Sequence, residues 1–228
     1  MFCLKNRSVA FLLIFILLII PSVHAFSQEI IAYFGEVGGE VTVTRNNPGA
    51  TLEATLGMFL QGGDVIRTGK ESYASIIFQD DGSRVKLGDK SQLTLNATRR
   101  KDKLDKKTFL ETGKLWAKIT KRRGTSFEVK TPTSVASVKG TKFILEEKEW
   151  GETWLWVLED FVLLSNDYTE QTINEGQKGK ATKDKIEVEE IQKEDIPLEP
   201  GLHEMIFYLR KSDGSSLQKE LHIELERK

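Results

Sequence analysis

At 228 residues, 39% of them hydrophobic and 29% charged, the chain can remove roughly 70% of its unfolded surface from water, enough for one large domain or a domain with an appendage. A formal net charge of −1 gives no electrostatic case for a polyanion binder or an acidic disordered tail. The single cysteine, Cys3, excludes a disulfide framework, and with it zinc sites of cysteine type.

The N-terminus is the most directive stretch. Lys5 and Arg7 precede the unbroken apolar run Val9 to Ile20, Pro21 ends it, and Val23 and Ala25 supply small residues at the −3 and −1 positions of a secretory cleavage site. The expectation is a signal peptide over 1–25, cleavage after Ala25, and a periplasmic or extracellular product. The competing reading is a retained membrane anchor, for which 12 apolar residues fall short of the ~20 that a span takes. Cleavage removes Cys3, Lys5 and Arg7, leaving a cysteine-free chain of about −3 by formal count.

From Phe26 onward, short alternating runs are separated by glycine turns. Val41 and Val43 share one face of the first clear strand. "SYASIIFQDDGSRVKL" turns Ala74, Ile76 and Phe78 inward, reverses at Asp80-Asp81-Gly82 and resumes with Val85 and Leu87, the pattern of a hairpin with an Asp-Gly turn. "SQLTLNA", "GKLWAKI", "SFEVKT", "TKFILEE" and "TWLWVLE" continue the series. The spacing predicts an all-β domain over 26–181, a sandwich, jelly roll or solenoid-like barrel of short antiparallel strands. A charged strand and linker follow over 182–200. Residues 201–228 alternate on both sides of Asp213-Gly214 and predict a terminal β-hairpin, which should dock on the preceding sheet or on a partner because a lone hairpin is marginal in water.

Catalytic chemistry is poorly supplied. Five residues rather than four lie between Gly63 and Gly69, and Glu71 stands where a phosphate loop needs Ser or Thr, so "GGDVIRTGKE" is a turn. The mature chain keeps only His203 and His222, both in the terminal hairpin. Asp80, Asp81, Glu146, Glu147 and Glu159 are the acids that could pair in a hydrolase, with solvated loop positions as the ordinary alternative. The basic stretches Arg99 to Lys107 and Lys121 to Arg123 predict a solvated hairpin tip, or else a patch for anionic envelope polymers; nucleic acid is not an expected ligand of an exported chain. No catalytic residue, metal ligand or cofactor is assigned. Trp154 and Trp156 share one face of a strand whose other face carries Leu155 and Val157, which predicts burial between two layers or an aromatic strip that docks a partner or glycan.

The stretch "TPTSVASVKGTKFIL" specifies a backbone path. Pro132 biases Thr131 toward extended geometry, Ser134, Ala136 and Ser137 allow close approach of layers, and Gly140 permits a turn or bulge before the strand of Phe143.

Four motifs in order carry a resemblance. They are Gly63-Asp64-x-Ile66-x-Thr68-Gly69, Asp81-Gly82-Ser83, Gly113-x-Leu115-Trp116, and Thr131-Pro132 followed by Val138-x-Gly140-Thr141-x-Phe143. Together they resemble the FecR domain family over roughly Gly38 to Ala181. The resemblance implies a periplasmic β domain that senses an outer-membrane receptor and relays to a sigma factor through a membrane helix and a cytoplasmic segment. Two departures trim that expectation: few residues precede the apolar run, which weighs against direct sigma-factor control and iron transport, and Asp160-Phe161 follows Glu159 where the family carries glycine. The expected product is an exported, non-catalytic binding, sensory or scaffold module recognising an envelope protein, with Trp154 and Trp156 as partner-contacting residues. A glycan- or matrix-binding surface protein and, if the N-terminal segment is retained, a membrane-anchored regulator are the alternatives.

Overall fold

Apolar and polar side chains alternate with period two in runs that Gly, Asp-Gly or Pro interrupts every few residues, so the chain forms strands and turns. A computed structural model describes residues 29–46, 49–100, 103–122, 126–201, 203–210 and 216–223, the last two ranges as backbone strands. The expected signal peptide and the Asp213-Gly214 turn lie outside the described residues. In chain order the strands are β1 (Ile30–Gly38), β2 (Val41–Thr44), β3 (Thr51–Glu53), β4 (Phe59–Gln61), β5 (Val65–Thr68), β6 (Tyr73–Phe78), β7 (Arg84–Leu87), β8 (Gln92–Thr94), β9 (Ala97–Arg100) and β10 (Lys103–Lys118). They continue with β11 (Phe127–Lys130), β12 (Val135–Val138), β13 (Lys142–Lys148), β14 (Glu152–Glu159), β15 (Phe161–Ser165), β16 (Glu170–Asn174), β17 (Gln177–Ala181), β18 (Ile186–Glu190), β19 (His203–Arg210) and β20 (Ser216–Ile223). A single 3-10 turn, Lys193–Asp195, is the helical element among the described residues, and the fold is all-β.

Two ladders share one core. Sheet A runs β4-β1-β6-β7-β10-β13-β14-β17-β18, and sheet B runs β3-β2-β5-β8-β10-β11-β12-β15-β16, with β9 beside the start of β10. Beyond β10, hairpins alternate between the ladders: β11-β12 in B, β13-β14 in A, β15-β16 in B and β17-β18 in A. The hairpin β19-β20 forms a ladder of its own.

Strand β10 joins the layers. Its first part pairs within sheet B and its last six residues within sheet A. The change of sheet falls at a bulge between Leu110 and Thr112 and at Gly113, whose φ is +94° and where a Cβ would lie 2.5 Å from Ser91 Cα. Only glycine fits a positive φ and so close a backbone. Two features depart from the expected short antiparallel strands: β10 is 16 residues long, and it pairs parallel with β11. The first half of β10 is disguised because Lys106 occupies an inward position in the alternation Leu104, Lys106, Thr108, Leu110. A charge at a core position breaks the apolar signal that marks a strand.

The core is a set of rows across each sheet. Phe34, Ile76, Val85, Ala117, Phe143 and Val157 are laterally aligned in sheet A, and Val43, Ile66, Leu93 and Leu110 in sheet B, all at most 3% exposed. Phe78 of β6 meets Phe127 of β11 edge to face at 5.7 Å, linking the two layers. Each such side chain contributes about 1.5–3 kcal/mol on burial, so this core needs no covalent staple.

Candidate functional site: the outer face of sheet A

The residues of the four motifs are built into the turns and core of the scaffold, and two of them, Asp81 and Val138, also line a water-sized cavity. Gly63 takes φ +90° and donates its N–H to Leu95 O at 2.6 Å, while Asp64, fully buried, accepts from Gln61 N at 2.8 Å and pairs with Arg45. Burial raises the Asp64 pKa above the ordinary aspartate value, although the Gln61 N–H and Arg45 pull it down. Ile66, Leu115, Val138 and Phe143 are core. Thr68 Oγ1 donates to Gly88 O at 2.6 Å and accepts from Ser91 N at 2.9 Å, and Ser91 Oγ accepts from Lys114 N beside Gly113. Gly69 donates to Glu40 O at 2.8 Å. Ser91 is the hub that brings Thr68 and Gly113 together, and nothing in its local sequence marks it.

The second half of the motif is a turn with its own cap. Thr131 Oγ1 accepts from Ser134 N at 2.9 Å and Thr133 N at 3.1 Å, and it shares a hydrogen bond with Thr153 Oγ1 at 2.7 Å; Pro132 is exposed on the turn. Gly140 has φ +141°, and Thr141 Oγ1 donates to Phe161 O at 3.1 Å. Asp160, where the family pattern expects glycine, adopts φ +62°, so the left-handed turn forms with aspartate in the glycine position.

Several acids expected in solvent are buried. The carboxylates of Asp80 and Asp81 are 0% and 3% exposed, and both lie against Lys106 Nζ, at 2.8 Å and 2.5 Å, itself 2% exposed. The Asp80 Oδ1 contact is an ion pair without hydrogen-bond geometry; Asp80 Oδ2 accepts from Leu104 N at 3.2 Å. Burial opposes ionisation of Asp81, yet hydrogen bonds from Lys106 and Ser83 together outweigh it and hold its pKa below the usual value. Lys106, read from sequence as part of a solvated basic tip, is instead the counter-ion of the Asp-Asp-Gly-Ser hairpin. Ser83 completes the turn, accepting from Thr120 N at 3.1 Å, with Gly82 at φ +70°. The cavity beside this cluster, lined by Asp81, Lys106, Thr120, Phe127 and Val138, measures about 10 Å³, room for one water. Glu147 is likewise buried, accepting from Thr133 and Thr153 hydroxyls. Among the described residues no three His, Cys, Asp or Glu side chains are placed to hold a metal, and no helix is long and apolar enough to cross a membrane.

What remains is the face of sheet A turned away from the core. Ser75, Lys86, Trp116, Ile144, Trp156 and Lys178 form one lateral row across β6, β7, β10, β13, β14 and β17. Ser75, Lys86, Ile144 and Trp156 are buried although they lie outside the main core. Residues 191–201 run over this row. Asp195 pairs with Lys178 Nζ at 2.8 Å, Pro197 O accepts from Trp116 Nε1 at 3.3 Å, Glu199 lies 3.6 Å from Lys86 Nζ, and Gly201 lies against the Tyr73 ring. Trp116 in turn lies over Gly88, where a Cβ would sit 3.1 Å from its ring. Trp156 is therefore buried, but under the chain's own strap rather than between the two sheets.

Trp154 neighbours Trp156, the rings stacked at 6.1 Å, and is half-buried with the ammonium groups of Lys148, Lys180 and Lys178 at 5.1, 5.2 and 5.9 Å. Beyond it Trp150 projects from the β13-β14 turn, 69% exposed, with Lys148 Nζ at 5.3 Å. Lys148 thus bridges two indoles. Trp150 escapes a sequence reading because it stands in a turn rather than in an alternating run.

Residues 64–162 match the family described as FecR protein. Similar solved structures include two crystal structures of a candidate anti-sigma factor from Parabacteroides distasonis, at 14% and 13% identity with TM-scores of 0.47 and 0.49. Each comparison covers 55% of this chain and 59% of the other, so the chain spans 59% of the length of those structures. No curated protein matches the sequence.

Proposed function

We propose that this FecR-domain chain is a non-catalytic sensor or scaffold of the cell envelope that binds a protein partner through the Trp150–Trp154 end of sheet A. The observation that carries the reading is Trp150, 69% exposed and joined to half-buried Trp154 through Lys148. Exposed indoles beside a cation are what interface anchors are made of, because they bury large area at little cost in side-chain entropy. Two further facts support it: the motif residues are engaged in turns and caps, and the neighbouring acids Asp80 and Asp81 are both buried in ion pairs with Lys106. A photo-crosslinking side chain at position 150, introduced in the native host, should capture one envelope protein, and Trp150→Ala should abolish its co-purification. Unchanged co-purification by Trp150→Ala overturns the assignment. Fractionation with N-terminal mass determination tests the location: a soluble chain beginning at Phe26 supports export with cleavage, and an intact membrane-bound Met1 supports the anchored regulator.

A second reading has its own observation. Three ammonium groups around one tryptophan suit an anionic sugar polymer, whose ring stacks on the indole while its acid meets lysine. Binding to acidic glycans on an array, lost in Trp154→Ala, would favour it over protein recognition.

A further inference from the structure

We infer that the outer face of sheet A is a groove for an extended acidic peptide of a partner protein, and that residues 191–201 fill it in cis as a displaceable strap. The inference goes beyond the recognition patch at Trp150, since it concerns the covered row and not the exposed turn.

Apart from Ile144, the row beneath the strap carries donors. Lys86 and Lys178 stand near its two ends, the Trp116 Nε1–H lies between them, and Trp156 Nε1 and Ser75 Oγ are buried without a partner. The strap answers with acceptors at alternate positions: the Asp195 carboxylate, the Pro197 carbonyl and the Glu199 carboxylate. Ile196 and Leu198, the intervening residues, are 37% and 68% exposed. Residues 195, 197, 199 and 201 facing one way and 196 and 198 the other is the geometry of an extended segment. Pro197 suits the role because its fixed φ favours extension and it carries no N–H to leave unpaired.

From β7 to β17 there are four interstrand steps, about 19 Å between backbones, and four extended residues span about 13 Å; the remaining ~6 Å is within reach of the lysine and carboxylate side chains that meet in the two ion pairs. A ligand for this row therefore carries two carboxylates four residues apart, with a carbonyl midway between them.

The strap is held weakly for a segment that covers so many buried groups. Lys86 is shared, lying 2.9 Å from Glu36 and 3.6 Å from Glu199. Lys178 likewise faces Glu189 at 3.4 Å as well as Asp195. Ile191 still donates to Gly176 O, but among the described residues no backbone–backbone hydrogen bond ties 196–201 to the sheet, the Pro197 carbonyl being held by an indole N–H. Both indole and hydroxyl donors left unmet, at Trp156 and Ser75, remain for a competitor to satisfy.

The test uses the full mature chain and a fluorescent peptide, Lys-Glu-Asp-Ile-Pro-Leu-Glu-Pro-Gly, copied from residues 193–201. In the double variant Asp195→Asn, Glu199→Gln the cis strap is loosened while the groove is untouched. The expected result is that this variant binds the peptide at least about tenfold more tightly than the wild type, whose groove is competent only for the fraction of time the strap is open. A peptide with Asn and Gln in place of the residues copied from Asp195 and Glu199 should not bind. Equal affinity of wild type and variant, binding of the neutral peptide as well as the acidic one, or no binding by either chain overturns the inference. A variant urea midpoint matching that of the wild type shows that the scaffold is intact. Loss of crosslinking at position 150 with retained peptide binding would sink the proposed function alone, and the converse would sink this inference alone.

Discussion

Replacing Gly140 with alanine should destabilise the protein by about 2–4 kcal/mol, and the structure supplies both terms. The first is conformational: φ is +141°, where a side chain is strained, and alanine at a positive φ costs more than about 1 kcal/mol. The second is steric. A Cβ at Gly140 would lie 2.5 Å from Lys121 Cβ and 2.6 Å from Lys121 Cα, so backbone must move rather than a flexible side-chain end, and overpacking of that kind adds about 1–3 kcal/mol. Gly151 supplies the control. It has φ +77° with nothing within 4 Å of where a methyl would sit, so Gly151→Ala carries the conformational term alone, about 1 kcal/mol. Urea unfolding of the wild-type chain and the two variants reads the difference. With a slope near 2 kcal/mol/M, Gly140→Ala should lower the midpoint by about 1–2 M and Gly151→Ala by about 0.5 M. A Gly140→Ala curve superimposable on the wild type, or no lower than that of Gly151→Ala, would refute the claim that Lys121 closes on this glycine.

Three other outcomes follow from the buried charges and hydroxyls. Lys106→Met leaves the Asp80 and Asp81 carboxylates without their cation and should cost about 3–5 kcal/mol at pH 7, read by the same unfolding curves. Because the folded pKa of Asp81 is depressed, its stabilising contribution is present above the ordinary value of 3.8 and lost as pH falls through the folded pKa; in Lys106→Met that acid-side loss should shrink. Asp64 has the opposite sign: its raised folded pKa means stability fully present below 3.8 and lost as pH rises through the folded value, so Arg45→Met, which removes the compensating cation, should cost more at pH 7 than at pH 4. Thr68→Val unpairs both Gly88 O and Ser91 N in a buried knot and should cost about 2–4 kcal/mol, whereas Thr68→Ser should recover most of it.

Much of the scaffold is legible from local pattern. The β6-β7 hairpin follows from Ala74, Ile76 and Phe78 alternating inward before Asp-Asp-Gly and from Val85 and Leu87 after it. Gly140 can be flagged because Pro132 and the small residues ahead of it constrain the path. Lys106 cannot, since a lysine within a run of charges looks the same whether it is solvated or clamped between two aspartates that precede it by 25 or more residues. Ser91 and Glu147 escape for the same reason: their partners, Thr68 with Lys114 and Thr133 with Thr153, arrive from other strands and, for Thr133, from the β11-β12 turn.

The candidate site divides in the same way. That Trp154 and Trp156 share a face opposite Leu155 and Val157 is a property of period-two alternation, and residue order alone determines it. So are the all-β class, the Asp-Gly turns and the extended character of the Pro197 segment, because each depends on φ, ψ preferences of neighbouring residues. Which tryptophan is covered, and by what, is a tertiary matter. It required β10 to cross from sheet B to sheet A at Gly113, placing Trp116 beside Ile144, and required residues 191–201 to return across the sheet so that Asp195 and Glu199 reach Lys178 and Lys86. Burial and ion pairing over such separations depend on where the backbone comes back in space, and no local propensity encodes that.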